Sequence, residues 1–150
     1  MSEHIDSAEF VAVMQECFDR GQDVELLPTG TSMLPMLDGQ TDKVTLSAPI
    51  NRLRKYDVAF YIRRRTGQVV LHRVIGFDRD GGYIFSGDNQ YYYEFDVTDD
   101  DILALMTGFT HKGRRYETTD FSYRLYIRRM MLKKRLRMIV SKIYRLIRHK

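Results

Sequence analysis

Three short stretches of the chain hold the residues best suited to chemistry. Pro28-Thr29-Gly30-Thr31-Ser32-Met33-Leu34-Pro35-Met36-Leu37, followed by Asp38-Gly39, sets a serine between a glycine that permits a tight turn and a proline that stops a helix. The Ser32 hydroxyl is therefore expected on a constrained loop. Val69-Val70-Leu71-His72-Arg73-Val74-Ile75-Gly76 carries a histidine in a β-prone run, and Ser86-Gly87-Asp88-Asn89 carries an acid at a turn, with Glu94 and Asp96 soon after. A serine hydroxyl is nearly inert until a neighbouring base takes its proton during attack. Histidine, with an ordinary pKa near 6.5, suits that exchange, whereas a lysine needs its pKa lowered by burial. A carboxylate on the far ring nitrogen would fix the tautomer and stabilise the imidazolium. Taken singly, each stretch has an ordinary reading: a polar turn serine, a hydrogen-bonded strand histidine and a common turn sequence.

In this order, and over roughly residues 23–110, the three stretches together resemble the serine peptidases of the type I signal peptidase and LexA-type repressor superfamily. Histidine rather than lysine at position 72 is similar to the endoplasmic-reticulum type and its bacterial relatives. The resemblance implies Ser32 as nucleophile, His72 as general base and Asp88 as the acid that orients it. A second acid follows the Gly-Asp-Asn element in that family, so Glu94 and Asp96 are rival partners for His72. The backbone N–H of Ser32 is the first expected oxyanion donor. Two features depart from the family. Gly30 stands where some members supply a donor hydroxyl, and the N-terminal stretch reads as an amphipathic helix rather than a membrane anchor or a DNA-binding helix-turn-helix. The implied function is a serine endopeptidase acting on a peptide or protein through an acyl-enzyme, akin to small soluble bacterial relatives of signal peptidases. A non-catalytic peptide-binding module of the same fold and a self-cleaving regulator are the alternatives.

Around these stretches the pattern predicts a mainly β, antiparallel domain of signal-peptidase/LexA-like type, with an amphipathic helix at each end. Phe10, Val13, Met14, Cys17 and Phe18 share one helical face over residues 7–20, with Asp6 as cap and Gly21 as terminator. Cys17, on that apolar stripe, reads as a small buried thiol. Expected strands are Asp23–Leu27, Lys43–Leu46, Val58–Arg63, Gln68–Ile75, Tyr83–Ser86 and Leu103–Thr110, with turns at Thr66-Gly67, Asp80-Gly81-Gly82 and Lys112-Gly113. Tyr91-Tyr92-Tyr93 reads either as wall packing beside a groove or as an exposed edge.

The chain of 150 residues is 43% hydrophobic, room for one compact domain and an appendage, divided here at 1–119 and 120–150. Its formal +4 conceals two electrical halves. Residues 120–150 hold 11 Lys+Arg and one acid, net +10, while residues 1–119 hold 13 basic and 19 acidic residues, net −6. No apolar run is long enough to span a bilayer, and the N-terminus lacks the basic start and apolar stretch of a secretory signal. The expected location is cytoplasmic or peripheral at the inner membrane face. One cysteine allows no internal disulfide, and no Cys/His spacing suggests a metal, so neither metal nor cofactor is expected.

In the basic segment, Phe121, Leu125, Leu132, Leu136, Ile139, Ile143 and Ile147 fall in one sector of a helical wheel, and Tyr126, Ile127, Met130 and Met131 form a second patch. Attachment to an anionic membrane surface or docking on an acidic protein is favoured over nucleic acid, for which no recognised motif is present. Self-association through the apolar stripe is a further reading.

Overall fold

The computed structural model describes residues 7–148. Helix α1, Ser7–Asp19, ends where Gly21 takes φ +70° and the N–H groups of Gly21 and Gln22 return to the carbonyls of Phe18 and Cys17. A left-handed glycine closing the last turn is the expected terminator. The cap expected at Asp6 lies outside the described residues. Met14 and Phe18 are buried along the predicted face, whereas Val13 is exposed and the Cys17 thiol residue is half-buried.

Eight strands follow: β1 Val24–Leu26, β2 Val44–Ser47, β3 Val58–Ile62, β4 Val69–Phe77, β5 Tyr83–Ser86, β6 Glu94–Val97, β7 Ile102–His111 and β8 Arg114–Glu117. All pair antiparallel, in the spatial order β1-β2-β7-β3-β4-β5-β6, with β8 also on β7. The protein is thus mainly antiparallel β-sheet, preceded in the chain by an N-terminal helix and followed by a C-terminal one. The six predicted strands are present with small changes of boundary, and β6 and β8 are additional.

Apolar side chains from β3 to β6 hold this part of the sheet together. Ala59 and Tyr61 on β3, Val74 on β4, Tyr83 and Phe85 on β5 and Val97 on β6 pack with Leu53 into one buried cluster. The rings of Tyr61 and Phe85 stack at 4.2 Å. Register puts Ala59 opposite His72 and Tyr61 opposite Val70, so His72 projects from the same sheet face as Tyr61.

The chain separates into two units, one running to Glu117 and a second beginning at Thr118. The second contains α2, Phe121–Arg148. No helix among the described residues is long and apolar enough to cross a membrane.

Candidate active site

Ser32 lies in a turn between β1 and β2. Gly30 enters it with φ +91°, a conformation open to glycine and strained for other residues. Met33, Met36 and Leu37 are buried and pin the turn from below, leaving Ser32 half-buried at its crest. The β5–β6 turn braces it from the side. The Asn89 N–H donates to the Ser32 carbonyl at 2.8 Å, and Asn89 Nδ2 donates to the Thr31 carbonyl at 3.3 Å. Two glycines make the close packing possible. A Cβ on Gly87 would lie 2.6 Å from the Ser32 carbonyl oxygen, and one on Gly39 would lie 2.5 Å from that of Pro28.

His72 sits within β4, its side chain only 3% exposed. Its Nδ1 faces two groups: Glu94 Oε1 at 3.0 Å and the Tyr61 hydroxyl at 3.2 Å. A proton on Nδ1 satisfies the carboxylate and leaves the lone pair on Nε2. Glu94 is itself held by Arg63, whose Nε and Nη2 donate at 2.7 and 2.5 Å. Burial alone would raise the Glu94 pKa, but hydrogen bonds from Arg63, His72 and Tyr61 outweigh it and hold the carboxyl well below the usual range. Burial, and then the Glu94 charge, pushes the Tyr61 hydroxyl upward, so it stays a protonated donor.

Asp88, expected from the resemblance to orient His72, is engaged elsewhere. Its two oxygens take Arg73 Nε and Nη2, each at 2.7 Å, and both side chains are fully buried. Arg73 also donates to the Tyr56 carbonyl at 2.9 Å and approaches the Met36 sulfur at 3.0 Å. This buried ion pair therefore fastens three pieces together: the strand residue next to His72, the turn after β5 and the underside of the Ser32 loop. Of the rival acids, Glu94 reaches His72, whereas Asp96 is exposed, at a left-handed φ of 63°.

Arg73, Arg63 and Tyr61 carry this arrangement and were not among the residues expected at the site. Arg73 adjoins His72 in β4 and so projects from the opposite face, beside buried Leu71 and opposite buried Val58; its partner Asp88 is what makes a buried guanidinium there intelligible.

Ser32 and His72 line one cavity of about 670 Å³. Its walls are largely apolar, with Phe10 from α1, Leu26 from β1, Met33 and Leu37 from the serine loop and Phe60 and Val70 from the sheet. No hydrogen bond joins the Ser32 and His72 side chains among the described residues. Nor, among those residues, does any cluster of three or more His, Cys, Asp or Glu side chains offer a metal site. Comparison with models of known families, with curated proteins and with solved structures gives no match.

Proposed function

We propose that the protein is a serine endopeptidase of signal-peptidase/LexA-like fold. The observation that carries this reading is a serine and a buried histidine lining one cavity, with Nδ1 of the histidine set against an ionised carboxylate. In this reading the Ser32 Oγ attacks the scissile carbonyl carbon while its proton passes to His72 Nε2. The tetrahedral oxyanion takes a hydrogen bond from the Ser32 N–H. Collapse breaks the C–N bond, and the departing amine takes the proton back from His72. Water then attacks the Ser32 ester with His72 again as base, releasing the second product and the free hydroxyl. Glu94 holds the ring and offsets the imidazolium charge in both halves.

The substrate is an extended peptide presenting apolar side chains. Strand β4 pairs with β3 along residues 69–73, but its other edge pairs with β5 only from Arg73 onward, so residues 69–72 leave backbone groups open beside the cavity. An incoming chain can add there as a strand, with alternate side chains entering the apolar pocket. A module that binds peptides without cleaving them is the second reading, and the absence of a Ser32–His72 hydrogen bond among the described residues favours it. Such contacts are commonly long before substrate is seated.

The experiment is digestion of a mixed peptide library by the full chain beside Ser32→Ala and His72→Ala, read by mass spectrometry. Cleavage by the parent and its loss in both variants supports the peptidase. Peptide retention without cleavage supports the binding module.

A further inference from the structure

The candidate peptidase site uses nothing from α2, whose composition is extreme. Residues 121–148 contain ten Lys and Arg and no Asp or Glu. At 100° per residue, Leu132, Leu136, Ile139, Val140, Ile143 and Ile147 fall within one sector about 100° wide, and from Leu132 onward no charged residue enters it. All six are exposed, by 49–69%. Lys133 and Arg137 border one side of the stripe and Arg135 and Lys142 the other.

We propose that residues 132–147 form an interfacial helix that docks the protein on an anionic lipid surface. The stripe enters the boundary between headgroups and acyl chains, and the bordering cations, with long aliphatic stems, reach back to the headgroup phosphates. At about 1.5 Å per residue the segment is roughly 24 Å long, lying in the plane of the surface rather than across it. Exposed Tyr144, beside the stripe, is a residue type that favours the same depth.

Other occupants fit less well. A nucleic acid would match the charge but leave six aliphatic side chains in water. A second copy of this chain, pairing stripe to stripe, would bring both sets of bordering cations together without an acidic residue on either helix to offset them. This inference does not depend on the peptidase reading.

The test is cosedimentation of the full chain with vesicles of phosphatidylglycerol and phosphatidylethanolamine, beside pure phosphatidylcholine vesicles and a 30-nucleotide RNA. The informative variant is Ile139→Gln with Ile143→Gln, which keeps every charge and a good helix former at both positions. Binding to the anionic vesicles, at least about tenfold weaker on phosphatidylcholine and at least about tenfold weaker for the double variant, is expected. A second variant, Lys133→Gln with Arg137→Gln, retains the stripe and should also weaken anionic binding. Equal vesicle binding by the Ile139/Ile143 variant overturns the proposal, as does RNA capture without vesicle binding, or a dimer in solution that does not sediment with vesicles.

Discussion

Among the described residues two histidines stand against carboxylates, and they differ in nearly everything else. His72 Nδ1 lies 3.0 Å from Glu94, and His111 Nδ1 lies 2.6 Å from Asp42. Either pair alone would pass for an oriented base. The His72 ring is almost wholly buried and lines a cavity that also contains Ser32, while His111, at the end of β7, is 28% exposed and does not line it. The carboxylates differ as well. Glu94 is surrounded by side chains, Arg63, Tyr61 and His72. Asp42 accepts from backbone and side chains alike: the N–H groups of Asp38 and Lys112, the Thr41 hydroxyl and His111. It ties the end of the serine loop to the β7–β8 hairpin. A histidine–carboxylate pair is thus a device for fixing a ring. Under the proposed function, what sets His72 apart as a base is the Ser32 hydroxyl in the same cavity and the room there for substrate.

That contrast is broken most directly by alanine. His72→Ala is expected to lower peptide turnover by about 10⁴-fold or more, as loss of a triad member does, while His111→Ala leaves it within a few-fold. Comparable losses in both would erase the distinction. Next, Glu94→Gln keeps the shape but removes the charge, and turnover should fall by about 10²–10⁴-fold. Asp88→Asn should act instead on folding, because it strands the buried Arg73; a loss of about 3–5 kcal/mol in urea unfolding is expected. If Asp88→Asn left stability intact while abolishing turnover, Asp88 rather than Glu94 would be the orienting acid.

The smallest effect concerns pH. Burial tends to raise the pKa of Asp42, but its hydrogen bonds from Asp38, His111, Lys112 and Thr41 prevail and lower it, as they do for Glu94 with its own partners. A carboxyl depressed in the folded state stabilises fully above its unfolded pKa of about 4, and that contribution disappears as pH falls through the folded value. Stability should therefore decline on the acid side. Asp42→Asn should cost about 1–3 kcal/mol near neutral pH and flatten that decline, both measurable by chemical unfolding across a pH series.

Much of the fold was legible because β3, β4 and β5 are short β-prone stretches bounded by clear turn residues. Strand β6 was not, for a reason visible in the register. Tyr83 and Phe85, two apart on β5, face Val97 and Glu94, three apart on β6, so one extra residue bulges there. Asp96 takes the left-handed backbone within that bulge, and the period-two pattern is lost. The same irregularity hid which acid meets His72, since one added residue decides which side chains face the sheet. Strand β8 escaped because Arg114-Arg115-Tyr116-Glu117 carries almost no apolar signal. Ser32 and His72 stood out by residue type and order, but Tyr61, Arg63 and Arg73 act through partners far away in sequence, which spacing alone does not reveal. The need for glycine at positions 39 and 87 likewise comes from backbone that approaches from other segments.

The central claim is that Ser32 becomes covalently attached to the substrate. The direct measurement is acid quenching of the full chain during turnover of an activated peptide ester, with the adduct mapped by mass spectrometry. An acyl group on Ser32, absent from Ser32→Ala and strongly reduced in His72→Ala, is the predicted result; turnover that persists in Ser32→Ala, or an adduct on another residue, would contradict it.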